Sequence, residues 1–143
     1  MSPFEHAIFS LQHLNWLAVL IAALAGYFPG AIWYSKIGFL RPWARELGID
    51  IDNPPGGKNV GAKVAIGLVP AFAGAMVMGL LVHHPVPVYH GMLLGLALAG
   101  GVISTSFAVQ YLYENRSVKF WLINAGYHVL QYLIMGLVFG LMV

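Results

Sequence analysis

Basic residues are absent from four long stretches of this chain and gather in the gaps between them. Four apolar segments contain no Asp, Glu, Lys or Arg, at residues 14–35, 64–82, 88–111 and 120–142. All seven Lys and Arg residues lie in the first and third gaps: Lys36, Arg41, Arg45, Lys58, Lys63, Arg116 and Lys119. A membrane-spanning helix needs about 20 mostly apolar residues, and basic loops stay on the cytoplasmic side. The pattern predicts four spans with both termini on the outer side.

Composition excludes a water-soluble domain. Only 8% of the 143 residues are charged, whereas soluble domains carry about 25%. The net charge of +2 reflects the basic loops and not a nucleic-acid-binding face. The chain has no cysteine, which excludes disulfides, thiolate metal sites and Cys nucleophiles. We therefore expect one all-α domain over residues 1–143, with the lipid bilayer as a partner and no nucleic acid.

The loop at residues 36–63 has a pattern of its own. Gly38 to Ile49 alternates large apolar side chains with two arginines and a glutamate. This mixture is typical of a short amphipathic helix lying on a membrane surface, here the cytoplasmic one. A turn-rich linker comes next, from Asp50 to Asn59.

Two further signals concern helix ends. Ser2, Pro3 and Glu5 have the spacing of a capping box and predict a helix start. Pro29 should kink the first span near its inner end.

Polar side chains recur on one face of each of the last two segments. The short turn at Arg116–Ser117 makes these segments antiparallel, so Gln110 should lie at the depth of Asn124, and Ser106 at that of His128. Polar groups inside a bilayer find partners. The two faces are therefore expected to form a polar pocket or relay, or to form hydrogen bonds that only hold the bundle together. The candidate binding residues are Ser106, Gln110, Asn124, Tyr127, His128 and Gln131.

Five of the six histidines fall on the predicted outer side. Imidazole is the commonest metal ligand, but zinc needs three or four ligands that converge. The alternative is that these histidines replace the basic residues that the topology forbids there. A divalent metal is thus the one cofactor considered, with candidate ligands His6, His13, His83, His84 and His90.

Small residues recur four positions apart and allow helices to approach closely. We expect most of these rows to pack within the chain. One row is left for self-association, so a homo-oligomer and another membrane subunit are both open as partners. The rows are Ala22, Gly26 and Gly30; Gly91 and Gly95; and Gly136 and Gly140.

Several aromatic and small residues carry a family resemblance. In the first half these are residues 15–19, Gly30, residues 33–35, Trp43 and Ala44. In the second half they are Tyr111, Trp121, Asn124, Gly126, Tyr127 and His128. From Leu14 to the C-terminus the chain resembles small bacterial membrane proteins grouped as domain of unknown function 1761. The resemblance implies a four-helix membrane fold, in the cytoplasmic (inner) membrane of a bacterium, and no activity.

Three function classes are compatible with these patterns. A structural or accessory membrane subunit is favoured. The alternative is a bundle that binds or transports a small molecule or ion through a polar pocket between spans three and four. An enzyme is least supported, because His128 has no acid or nucleophile nearby and Ser106 has no oxyanion device. The spans lack Asp and Glu, which argues against a proton-coupled exporter.

Overall fold

The computed structural model describes residues 2–53, 59–82 and 84–143, and all regular structure within them is helical. The α-helices are α1 (Pro3–Gln12), α2 (Trp16–Tyr27), α3 (Pro29–Trp33), α4 (Leu40–Leu47), α5 (Val60–Leu81), α6 (Val88–Leu96), α7 (Ser104–Tyr113) and α8 (Val118–Met142). A π-helical turn, Ala97–Ile103, joins α6 to α7.

Four of these helical stretches are long and apolar enough to cross a membrane. They are span one (Trp16–Trp33), span two (Val60–Leu81), span three (Val88–Tyr113) and span four (Val118–Met142). The predicted all-α fold with four long apolar helices is confirmed.

The predicted helix start at Ser2 and the predicted break in span one at Pro29 are both confirmed. Ser2 Oγ accepts from the Glu5 amide at 3.2 Å, and the Glu5 carboxylate accepts from the Ser2 amide. This closes the capping box of α1. Span one is interrupted where α2 ends and α3 begins at Pro29, because proline has no N–H to continue the ladder.

Span four is the centre of the bundle. It packs along span three on one side and against span one on the other, while span two packs mainly against span one. The order across the bundle is therefore span two, span one, span four, span three. Spans two and three share no extended contact among the described residues, and this leaves a cleft between them.

Glycines set the closest approach of two spans. A Cβ at Gly91 would overlap the Gly136 carbonyl, and one at Gly136 would overlap that of Gly91. In span one, a Cβ at Gly26 would come within 2.9 Å of the Gln131 carbonyl oxygen. The small-residue rows thus serve packing within the chain, as expected for most of them.

The core occupies one end of the bundle. Met78, Met135 and Phe139 have no exposed surface and pack with small residues of span one, including Ala18 and Ala22. At the same end, Asn15 caps α2 and its amide donates to the Met142 carbonyl at 3.1 Å. The other end, which carries the basic loops, is less tightly filled.

The amphipathic helix predicted at residues 38–49 is present as α4. It ends at Gly48, whose left-handed backbone (φ 65°) is a common helix stop. The helix rests against the start of span four, where Glu46 accepts a hydrogen bond from Ser117 Oγ. The Trp43 ring meets Tyr34 edge to face at 5.8 Å.

The π-helical turn changes which face of span three meets span four. Such a turn holds one more residue than an α-helical path, which rotates the rest of the span by about 100°. Ser104 Oγ donates to the Ala99 carbonyl at 2.6 Å, and the Trp121 indole donates to the Ser104 carbonyl at 2.8 Å. These side-chain bonds anchor the rotated segment.

Candidate binding cleft between spans two and three

Asn124 connects three spans. Its carbonyl oxygen accepts from the Tyr34 hydroxyl at 2.8 Å, and its amide donates to the Tyr111 hydroxyl at 3.2 Å. Asn124 holds the bundle together in this arrangement and presents no free amide group.

Ser106 and Gln110 do not meet span four as the sequence predicted. Ser106 Oγ donates to the Val102 carbonyl at 2.8 Å and Gln110 donates to Glu114 at 2.8 Å, so both bond within their own helical segment and are exposed. An uninterrupted α-helix would continue the Gly91 and Gly95 seam through position 106. The extra residue of the π-helical turn moves the seam away from that position.

The ring contacts of α7 with span four are made instead by Phe107 and Tyr111. The Phe107 ring lies 5.1 Å from that of His128, and the Tyr111 ring lies 5.0 Å from that of Phe120. The interface is therefore largely aromatic where two polar faces were expected.

His128 is oriented by a neighbour on its own helix. Its Nδ1 atom lies 3.1 Å from Gln131 Oε1. Because that oxygen can only accept, Nδ1 carries the proton, and in the neutral ring Nε2 is an acceptor. No described residue bonds Nε2, and no buried side-chain nitrogen or oxygen of the described residues lacks a partner. Nε2 is therefore accessible.

A cleft of about 330 Å³ begins at His128. Span two forms one wall and Ile103, the last residue of the π-helical turn, lies on the other. Pro70 on the span-two wall has no N–H, so the Ile66 carbonyl loses its donor within the helix. Spans one and four form the back wall of the cleft, between the other two spans. Its lining residues are Tyr27, Gly67, Pro70, Ala71, Ile103, Tyr127, His128, Gln131 and Tyr132.

Two tyrosines close the cleft toward the basic end. The Tyr127 hydroxyl donates to the Tyr27 carbonyl at 3.1 Å, and the Tyr27 hydroxyl donates to the Val64 carbonyl at 3.2 Å. A Cβ at Gly67 would overlap the Tyr27 hydroxyl, so a side chain there would displace the Tyr27 ring. Tyr127 is thus a linking residue with its polar atom engaged, and it contributes mainly its ring to the cleft.

Tyr132 closes the opposite end. It lines the cleft and also packs against the buried cluster around Met135 and Phe139. The cleft therefore ends on close-packed side chains and is not a path through the bundle. A binding site fits this shape better than a conduit does.

The structure brings Tyr127, His128 and Gln131 to one cleft and leaves Asn124, Ser106 and Gln110 outside its lining. The sequence reasoning missed Tyr27 and Tyr132, which line the cleft, and Pro70. Pro70 could have been identified from the sequence, since a proline within a span removes a backbone donor. Tyr27 and Tyr132 carried none beyond being aromatic.

The histidines that were predicted to lie on the outer side make local contacts. The Nδ1 atoms of His6 and His13 lie 3.2 and 2.8 Å from the carbonyls of Ser2 and Phe9. The His90 ring lies against its neighbour Tyr89, at 4.2 Å.

No three His, Asp or Glu side chains within the described ranges are grouped so that they could hold a metal ion. His84 belongs to those ranges, whereas His83 lies outside them. The outer metal site therefore stays a prediction.

Comparisons with known proteins give a family and nothing more specific. No curated protein and no solved structure matches the chain. The family described as "protein of unknown function (DUF1761)" matches residues 17–140, which include all four spans apart from their outermost ends. The match covers most of the chain and agrees with the resemblance seen in its aromatic and small residues. This chain therefore belongs to the DUF1761 family.

Proposed function

We propose that this protein binds a lipid-soluble small molecule carrying a hydroxyl group in the cleft between spans two and three. The accessible Nε2 atom of His128 carries the proposal. As an acceptor in a cavity lined mostly by aromatic and aliphatic side chains, it selects a ligand that offers a hydrogen-bond donor. Pockets of this kind, mostly apolar with a few placed polar groups, are typical of small-molecule sites.

The size of the cleft limits the ligand. A cavity of about 330 Å³ lies at the lower end of the range for ligand pockets, about 300–1,000 Å³. Entry is sideways between spans two and three, from the bilayer, because the far end is closed at Tyr132. The ligand is thus a molecule that partitions into lipid. This replaces the pocket between spans three and four as the candidate site.

The structural-subunit interpretation rests on different residues. Asn124 and Tyr127 use their polar atoms on neighbouring helices, as interhelical hydrogen bonds in membranes do. His128 differs from them, since its only hydrogen bond to a described residue is to Gln131 on its own helix. That difference favours binding over a purely structural role.

Photolabelling tests the proposal. The purified chain is irradiated with a medium-chain alkyl diazirine alcohol, and labelled residues are mapped by mass spectrometry. Labelling should concentrate on cleft residues. Ile103→Trp fills the cleft and should abolish this labelling, whereas Val102→Trp adds the same side chain at an exposed position and should not. Equal labelling of both variants would reject the cleft as the site.

The role of His128 needs a separate comparison. His128→Phe keeps a ring in place and removes the acceptor. It should lower labelling by the alcohol about fivefold, the effect of one hydrogen bond of about 1 kcal/mol. Labelling by the matching diazirine alkane should stay unchanged. If both probes respond alike, the cleft selects by shape only.

We further propose that the basic loops face the cytoplasm and that both termini are outside, in the cytoplasmic membrane of a bacterium. The distribution of all seven Lys and Arg residues supports this orientation. In it, the cleft lies in the cytoplasmic half of the bundle, and the ligand enters from the inner leaflet.

A further inference from the structure

A second cavity lies at the basic end, outside the cleft. It is a groove of about 500 Å³ between α4 and the first turns of span four. Its lining residues are Trp33, Phe39, Pro42, Lys119, Leu122 and Ile123. Five of the six are apolar or aromatic, and one is a cation.

The groove walls are held in place by contacts within the chain. The Trp33 indole donates to the Ile123 carbonyl at 3.0 Å, and its ring lies 4.6 Å from that of Phe39. The groove is therefore built before any ligand arrives. Its apolar walls suit an acyl chain.

Lys119 is the cation that lines the groove. Arg116, three residues earlier, pairs with Glu114 at 3.5 Å and lies over the Phe120 ring. Lys119 is exposed, and no carboxylate of the described residues is within ion-pair distance of it. An ammonium at the mouth of an apolar groove fits a ligand with an anionic group attached to a hydrocarbon chain.

We propose that this groove binds an anionic phospholipid of the bilayer, with one acyl chain along Trp33 and Leu122 and the phosphate at Lys119. Basic residues at the cytoplasmic membrane surface recognise anionic lipid headgroups in this way. Arg41 and Arg45 belong to α4, the helix that contributes Pro42 to the groove wall, and add positive charge at this end of the bundle. The site is independent of the cleft, and either can exist without the other.

Native mass spectrometry of the full chain in detergent tests this proposal. Phosphatidylglycerol and phosphatidylcholine are offered at equal concentrations. Phosphatidylglycerol should be retained preferentially, and Lys119→Gln should reduce that preference about fivefold, the effect of one basic residue near an anionic surface. Lys63→Gln removes the same charge at the same end of the bundle, away from the groove, and should leave the preference intact. Equal retention of the two lipids, or equal effects of the two variants, overturns the proposal.

Two further experiments extend this test. The first distinguishes binding of the whole lipid from binding of phosphate alone, and the second distinguishes the contribution of the apolar groove from that of the charge. Millimolar inorganic phosphate should not displace phosphatidylglycerol; displacement would assign the site to phosphate alone. Leu122→Trp occupies the acyl part and should abolish retention, whereas Val109→Trp, also at an exposed position, should not. Retention by Leu122→Trp at the level of the unmodified chain would show that no acyl chain lies in the groove.

Discussion

The amide of Asn124 uses its carbonyl and its N–H group on two different spans. Only 8% of the residue is exposed, so a lost partner cannot be replaced by water. A polar group left without a partner in an apolar setting costs more than the bond contributes when it is formed. Asn124 is therefore the residue at which the assembly of spans one, three and four is most sensitive to a single change.

Replacing Asn124 with Leu removes both hydrogen bonds and leaves the hydroxyls of Tyr34 and Tyr111 without this partner. We expect the free energy of unfolding to fall by about 1–2 kcal/mol, the sum of two interhelical hydrogen bonds. Gln110→Leu is the matched control, because Gln110 is exposed and bonds only to Glu114. Unfolding in mixed micelles, followed by tryptophan fluorescence, measures both. Equal stability of the two variants would contradict the role given to Asn124.

At this scale the sequence predicted which residues of span four share a face, but not the residues that contact that face. Asn124, Tyr127, His128 and Gln131 share one face because the helical period holds within α8. Which residues meet that face depends on how the neighbouring helices are rotated about their axes. Tyr34 and Tyr27 of span one contact that face of span four because span one is interrupted at Pro29 and span two comes close at Gly67. Local sequence does not specify the distances between helices at these two points.

The π-helical turn is the element that determines which face of α7 meets span four. Ser106 and Gln110 were expected to meet span four because their depths match those of His128 and Asn124 across the turn at Arg116–Ser117. Depth does not determine which side of α7 faces span four, and a single inserted residue in the π-helical turn changes that side without any change in hydrophobicity. Residues 97–103 contain two adjacent glycines, Gly100 and Gly101, with open space around each, but no polar or proline signal marks the extra residue.

Deleting Gly100 should remove the extra residue of the π-helical turn and restore an uninterrupted α-helix, with Phe107 still opposite His128. A deletion within an ordinary α-helix would instead rotate the following residues by about 100°. Since the chain has no cysteine, paired cysteines report the register. In the intact chain and in the deletion variant alike, a cysteine at Phe107 should cross-link to one at His128, and a cysteine at Ser106 should not.

Gly100→Ala is the control for this deletion, because a Cβ there meets no neighbour. It should keep the pairing of positions 107 and 128. The assignment of one extra residue to the π-helical turn would be refuted if the deletion variant lost that pairing.

The whole molecule has a packed end and an open end. Met78, Met135 and Phe139 close the end near the N- and C-termini, and both the cleft and the groove lie toward the basic loops. The spans and α4 could be predicted from charge and hydropathy. The unequal packing could not, because it arises from the divergence of spans two and three. The orientation of the bundle then decides which leaflet reaches both cavities.

Single cysteines test that orientation in intact cells. The split of basic residues predicts that cysteines at Ser2, Pro87 and Val143 react with an impermeant maleimide, and that cysteines at Gly56 and Ser117 react only after the membrane is permeabilised. The native chain, which has no cysteine, is the blank. Labelling at Gly56 without labelling at Pro87 would invert the orientation and move ligand entry to the outer leaflet. Equal labelling at both would mean that the chain inserts in two orientations, and the anionic-lipid groove would then face both leaflets.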